Sequence, residues 1–174
     1  WRQEKILKVA DEIVKKMGTE SIGKCETHDA GVPFYGVYYG QSALPHASES
    51  LLYLDNAVIR GLKVLNAETS SEIPVYDLKA AAGRDPYEMF LGGARSLITL
   101  TNPNSENERR LIVFRDSFGS SIAPLLAAGY SEITLVDIRY ISPSSLLKFV
   151  DFSKAADVLF LYSASVINNS ETIK

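Results

Sequence analysis

The 174-residue chain has one cysteine, Cys25, and two histidines, His28 and His46. A single cysteine excludes an intrachain disulfide, and these three residues lack the short spacings that zinc sites use. We therefore expect no metal site and no disulfide framework. The net charge is −3, with no basic stripe, so binding to nucleic acid has no electrostatic support.

Long apolar segments are also missing. The sequence has no run of 18 apolar residues and no charged-then-apolar segment typical of a signal peptide. A membrane contact is therefore expected only through a segment outside this sequence. The chain does not begin with methionine, which indicates a processed chain or a fragment. With 46% hydrophobic and 22% charged residues, its length suits a single α/β domain over residues 1–174.

Three apolar segments in the C-terminal half have the length and composition of buried parallel strands. They are Leu111–Phe114, Glu132–Ile138 and Asp157–Tyr162, and helical patterns at Ile122–Ala128 and Pro143–Val150 separate them. This β-α-β-α-β alternation predicts an α/β fold in which a parallel sheet of the flavodoxin-like type forms the middle of three layers.

The N-terminal half reads differently. Apolar residues recur at helical spacing between residues 2 and 17, and Gly18 ends this predicted helix. Residues 19–82 then form a predicted β-rich insertion with glycine, asparagine and proline at the turns. The expected strands are Pro33–Tyr39, Ser50–Asp55, Val58–Leu65 and Ile73–Asp77.

The insertion holds both histidines and a group of aromatic residues that includes Phe34, Tyr35 and Tyr53. Aromatic side chains among polar loops are typical of a sugar-stacking platform, whereas tyrosines on short strands often form half-buried cross-strand pairs. Both interpretations stay open. His28 and His46 are expected to be loop or turn residues.

Ser117 is the candidate nucleophile. The strand Leu111–Phe114 runs into Arg115-Asp116-Ser117-Phe118-Gly119, and in an open α/β sheet such a turn lies at the carboxyl edge, where ligands bind. Unpaired N–H groups at the start of the next helix can hold a phosphate or an oxyanion, so Gly119 is assigned to this oxyanion loop. The same residue types also cap helices, and a serine needs a base to react.

Three further residues are candidates for the same edge. Gly93 precedes the predicted strand Ser96–Thr101, and its backbone either donates to an oxyanion or forms a plain turn. Asp137 and Arg139 lie at the end of the second parallel strand. Arg139 either binds a substrate carboxylate or hydroxyl group, or forms an internal pair with Asp137.

The segment Val113–Ile141, VFRDSFGSSIAPLLAAGYSEITLVDIRYI, resembles the serine block of the DHHW proteins. These form a bacterial envelope family related to the SGNH hydrolases and to alginate O-acetylation proteins. The resemblance extends to FLGGARSLITLTNP at Phe90–Pro103 and to VLFLYSASVIN at Val158–Asn168. Trp1, followed by a long helix, resembles the last letter of the Asp-His-His-Trp motif.

The resemblance implies an SGNH-like fold and a triad whose Asp and His lie just upstream of residue 1 and serve Ser117. It also implies a serine esterase or O-acyltransferase of the bacterial cell envelope, outside the cytoplasm. The expected partners are an envelope polysaccharide or an acyl donor, without a cofactor. The 174-residue chain alone is then expected to be nearly inert.

Arg115 departs from the resemblance, because general SGNH enzymes carry glycine before Asp-Ser. A bulky charge there, together with the missing base, suits a non-catalytic binding or scaffold module of the envelope. A flavodoxin-like phosphate-binding loop at Ser117–Ser121 is a third hypothesis, although no flavin signature accompanies it.

Overall fold

A computed structural model describes residues 1–36, 39, 45, 47–154, 156–169 and 171. The described helices are α1 (Gln3–Lys16), α2 (Ala57–Gly61), α3 (Leu78–Ala81), α4 (Phe118–Ile122), α5 (Pro143–Leu146) and α6 (Ala164–Asn168), with 3-10 helices at Pro86–Met89 and Ala123–Gly129. The strands are β1 (Glu26–Phe34), β2 (Glu49–Asp55), β3 (Lys63–Asn66), β4 (Ser71–Ile73), β5 (Leu97–Thr101), β6 (Arg110–Arg115), β7 (Glu132–Val136) and β8 (Asp157–Leu161). None of the helices in these ranges is long and apolar enough to cross a membrane.

The main sheet has six strands in the order β4-β3-β5-β7-β6-β8. Strand β6 is parallel to both β7 and β8, so the prediction of three parallel strands is confirmed. The prediction of an all-parallel sheet is wrong, because β3, β4 and β5 pair antiparallel and make the sheet mixed. The link between β3 and β4 is short, and a short link joins neighbouring strands only in the antiparallel sense.

The segment 19–82 divides between two sheets. Strands β1 and β2 form a separate antiparallel pair, whereas β3 and β4 extend the main sheet. The predicted strand Ser50–Asp55 is confirmed as β2. The predicted strand Val58–Leu65 is wrong in its first half, because the Asn56 side chain accepts the Ile59 N–H at 3.0 Å and caps α2 there. Residues 37–38 of the predicted strand Pro33–Tyr39, and His46, lie outside the described residues.

Apolar side chains cover both faces of the main sheet. Neighbouring residues on a strand point to opposite faces, and on β6 Leu111 and Val113 join the cluster that holds α1. Ile112 joins the other cluster, with Leu146 of α5 and Val150. Helices therefore pack on both faces, and α1 follows its predicted span closely.

The helix predicted at Ile122–Ala128 starts earlier and changes type. Residues Phe118–Ile122 form one short α-helix, and the 3-10 helix Ala123–Gly129 follows directly. Pro124 has no N–H to donate to the preceding turn, which accounts for the change. The α-helix that directly follows Ser117 therefore has only five residues.

Candidate functional site

The carboxyl ends of β6, β7 and β8 lie at one edge of the main sheet, which we call the serine edge. Strand β5 runs antiparallel to β7, with Leu97 opposite Val136, so the loop that precedes β5 lies at this edge too. The Asp137 N–H donates to the Ser96 carbonyl at 2.8 Å and joins the two segments. The topology thus brings the predicted residues Gly93, Ser117, Asp137 and Arg139 to one edge.

Ser117 is exposed and begins the turn into α4. Within the described part of the chain, neither its hydroxyl nor its backbone N–H has a hydrogen-bond partner. Asp116, which is 2% exposed, makes the cap instead. Its Oδ1 accepts the Phe118 N–H at 2.9 Å and its Oδ2 accepts the Ser163 N–H at 2.7 Å. Because Asp116 caps the helix, the Ser117 hydroxyl is not needed for capping.

The two candidate glycines use their amides within their own turns. The Gly119 N–H donates to the Asp116 carbonyl at 3.0 Å, and the Gly93 N–H donates to the Phe90 carbonyl at 3.1 Å. Gly93 has a φ of +75°, which favours glycine. An oxyanion role for either amide stays a prediction, because each would first have to give up this hydrogen bond. The Ser117 amide, by contrast, has no hydrogen-bond acceptor among the described residues.

Arg115 lies fully buried behind the serine. Its Nη1 is 3.8 Å from Asp137 Oδ2 and donates to the Asp116 carbonyl at 3.3 Å, while its Nη2 donates to the Arg95 carbonyl at 3.1 Å. Burial lowers the pKa of Arg115, and the Asp137 carboxylate opposes that effect. The residue that departs from the SGNH pattern therefore holds three segments of the serine edge together.

Asp137 and Arg139 form a two-bond pair. Arg139 donates from Nε at 2.8 Å and from Nη2 at 2.6 Å to the two oxygens of the fully buried Asp137. These hydrogen bonds raise the pKa of Arg139. The geometry favours the internal pair over substrate binding. The Arg139 side chain nevertheless stays 22% exposed, and its guanidinium lies 5.3 Å from the centre of the Tyr140 ring.

No histidine among the described residues pairs with Ser117. His28 lies in β1 rather than in the predicted loop, because it pairs with Tyr53 of β2 and its ring stacks on that tyrosine at 5.3 Å. Its Nε2 is 3.6 Å from the Glu26 carboxylate. Over the described ranges, no group of three or more His, Cys, Asp or Glu residues could hold a metal ion.

Ring stacking and hydrogen bonds hold the start of α1 beside Ser117. The Trp1 ring stacks on Phe118, the residue after Ser117, with 4.6 Å between ring centres and 15° between planes. The buried Gln3 side chain donates to the Ser121 carbonyl at 2.7 Å and accepts the Leu54 N–H at 2.7 Å. The segment that contains Trp1 is therefore held next to Ser117.

Tyr87 connects the same two segments, the start of α1 and the end of α4. Its hydroxyl donates to Ser121 Oγ at 2.7 Å and accepts from the Trp1 backbone nitrogen at 3.4 Å. Burial raises the pKa of Tyr87 to about 12, and the hydrogen bond with Ser121 opposes the rise. Sequence reasoning missed both Gln3 and Tyr87, because nothing in their local pattern indicates contacts with the distant serine segment.

No protein-family model matches the chain, and no curated protein does. Solved structures do match it. A DHHW family protein from Eubacterium siraeum DSM 15702 is 17% identical, with a TM-score of 0.73, over 99% of this chain and 60% of that one. Bacillus cereus PatB1 with a sulfonyl adduct is 20% identical, with a TM-score of 0.70, over 96% and 59% of the two chains.

A second structure of Bacillus cereus PatB1 is 18% identical, with a TM-score of 0.65, over 96% of this chain and 61% of that one. The chain thus spans about three fifths of the length of the structures that it matches. At these identities the likeness concerns the fold. The chain has the fold shared by a DHHW family protein and PatB1, and the resemblance predicted from its serine block is confirmed at that level.

Proposed function

We propose that Ser117 is the nucleophile of an SGNH-like serine esterase or O-acyltransferase. Its base is a histidine in the residues that precede Trp1 in the whole protein. The substrate is an envelope glycan or another acylated molecule, met outside the cytoplasm in the bacterial envelope. In the reaction, Ser117 Oγ attacks the acyl carbonyl, the histidine takes the hydroxyl proton, and the Ser117 N–H donates to the oxyanion. The bond to the departing alkoxide then breaks and the histidine gives that alkoxide its proton. Water or an acceptor hydroxyl finally attacks the acyl-serine and releases the acyl group from Ser117.

The observation that carries this proposal is that Asp116, and not Ser117, caps the helix α4. A capping serine would accept an N–H of its own helix, but Asp116 takes that bond, with Oδ1 at 2.9 Å from the Phe118 nitrogen. Ser117 is left exposed, with its hydroxyl and its N–H both unpaired among the described residues. A free hydroxyl beside a free N–H is the arrangement that acyl transfer requires.

The position of Trp1 supports an upstream base. Its ring stacks on Phe118 at 4.6 Å, so a residue directly before Trp1 would enter beside the Ser117 turn. The sulfonyl adduct of PatB1 adds support, because a covalent sulfonyl group is the product expected when an activated nucleophile meets a sulfonyl reagent.

A scaffold or binding module is the second candidate. It is favoured by the absence of a base beside Ser117 within the described ranges, and by the charged Arg115 in place of the SGNH glycine. In this account the serine edge keeps its buried network and catalyses nothing.

The two functions are separated by hydrolysis of p-nitrophenyl acetate by a longer form of the protein that includes the residues preceding Trp1. The enzyme account predicts turnover by the longer form, a loss on the order of 10³-fold or more in Ser117→Ala, and near inertness of the 174-residue chain. Ser120→Ala is the matched control, because the Ser120 hydroxyl is buried, has no hydrogen-bond partner among the described residues and should be dispensable. Turnover unaffected by Ser117→Ala would refute the nucleophile, and no turnover in any form would favour the scaffold.

A further inference from the structure

A cavity of about 570 Å³ lies between the end of β1, at residues 33–36, and the turn at residues 83–88. We call it the aromatic pocket. Its volume falls within the range of small-molecule sites. No residue assigned above to the acyl chemistry lines it.

The walls combine aromatic surface with unpaired charge. The Phe34 ring stacks on Tyr87 at 6.1 Å, and Tyr35 is 44% exposed beside Tyr39, at 4.6 Å between ring centres. Arg84 and Glu88 are exposed and line the pocket, and neither side chain has a hydrogen bond or an ion pair with the described residues. The pocket thus offers ring faces together with a free donor and a free acceptor.

The aromatic pocket adjoins the serine edge at two points. Tyr87 lies between the lining residues Pro86 and Glu88, and its hydroxyl is 2.7 Å from Ser121 Oγ, one helical turn after Ser117. The Glu88 side chain packs on Gly93, where an added Cβ would lie 2.8 Å from Glu88 Cγ. Through Tyr87 and Glu88, the wall of the pocket is therefore in contact with the segments around Ser117.

We propose that the aromatic pocket binds a neutral saccharide unit of the substrate and directs its acylated or acceptor hydroxyl to Ser117. This inference rests on the proposed function. The C–H faces of a sugar ring stack on aromatic rings, and its hydroxyl groups pair with a guanidinium and a carboxylate together. A purely apolar acyl chain would leave Arg84 and Glu88 unpaired when it desolvated them. Two acidic lining residues, Asp85 and Glu88, against the single cation Arg84 leave the pocket with a net negative charge, so we expect it to prefer an uncharged sugar to an acidic one.

The test is a two-dimensional ¹H–¹⁵N NMR titration of the 174-residue chain with three tetrasaccharides, built from N-acetylglucosamine, from glucose and from galacturonic acid. We expect a neutral tetrasaccharide to shift the backbone amides of residues 34–36 and 83–88. Tyr35→Ala and Arg84→Ala should each weaken that binding about tenfold, the size of one lost charge-assisted or stacking contact. Tyr35→Phe should keep the affinity, because it keeps the ring.

Lys154→Ala is the control for charge, since this exposed residue lies before β8 and does not line the pocket. Ser117→Ala should bind like the parent chain, so binding is scored independently of acyl chemistry. The proposal is overturned if neither neutral tetrasaccharide shifts these amides, if the galacturonic acid tetramer binds tightest, or if Tyr35→Ala keeps full affinity. Binding that persists while every form is inactive toward esters would support the pocket and reject the enzyme.

Discussion

The two ends of β6 each carry an arginine–aspartate pair, and the pairs differ in burial. At the carboxyl end, Arg115 and Asp137 are both fully buried, with 3.8 Å between Nη1 and Oδ2. At the amino end, Arg109 and Asp157 approach to 2.7 Å but their side chains stay 38% and 36% exposed. The shorter contact contributes less, because water screens an exposed pair, whereas breaking a buried pair leaves an uncompensated charge.

The two arginine–aspartate pairs also connect different segments of the chain. Arg109 donates to the Met17 and Gly18 carbonyls, so the amino end ties the end of α1 to the sheet. Arg115 donates to the Arg95 and Asp116 carbonyls, so the carboxyl end ties together the loops around Ser117. The pair at the amino end therefore holds α1 on the sheet, and the pair at the carboxyl end positions the candidate site.

The largest expected effect is in stability. Arg115→Ala should lower the free energy of unfolding by about 3–5 kcal/mol, because it leaves Asp137 partly uncompensated in the interior and removes the donors to the Arg95 and Asp116 carbonyls. Arg109→Ala, the matched change at the other end, should cost about 1 kcal/mol. Urea unfolding of the two variants measures both values.

Equal losses in Arg115→Ala and Arg109→Ala would break the contrast between the ends. A larger loss in Arg109→Ala would reverse it, and would assign the main ionic contribution to the amino end of β6.

A smaller effect is expected at alkaline pH. Burial raises the pKa of Tyr87 to about 12, above the ordinary value of 10, so the unfolded chain loses the hydroxyl proton first. The stabilising contribution is present below pH 10 and is lost as the pH rises toward 12. The expected loss is about 1–2 kcal/mol, and Tyr87→Phe should remove that share of the pH dependence.

At the amino end, burial and the Asp157 carboxylate raise the pKa of Tyr130 in the same direction. The free energy of unfolding, measured between pH 9 and 12 in Tyr87→Phe and in Tyr130→Phe, therefore separates the contributions of the two tyrosines to the alkaline loss of stability. An unchanged pH profile in Tyr87→Phe would mean that the Tyr87 hydroxyl is not held as the structure describes.

The parallel half of the fold could be predicted from sequence because its signals are local. The apolar segment Leu111–Phe114 and its turn needed no distant partner to be recognised, and Ser117 lies where that turn predicts. The antiparallel half could be predicted only in part, because its elements depend on local details. The Asn56 cap, for example, makes the first half of the predicted strand Val58–Leu65 part of α2. A cap of this kind competes with strand signals and is hard to weigh from one sequence.

The missed site residues depend on contacts far apart in the chain. Gln3 meets Ser121 across 118 residues, and Tyr87 meets Ser121 across 34. In an amphipathic helix, a glutamine reads as a solvent-facing residue, so its burial could not be predicted. Arg115 reads as a departure from a catalytic pattern, and only its buried partners reveal what it holds.

The central claim is that Ser117 is the reactive residue of the serine edge. Its most direct test is to treat the longer form with a fluorophosphonate probe and to locate the adduct by peptide mass spectrometry. The account predicts one adduct, on Ser117, that forms far more slowly in the 174-residue chain. An adduct on Ser120, Ser121 or Ser163 instead, or equally fast labelling of the short chain, would contradict it.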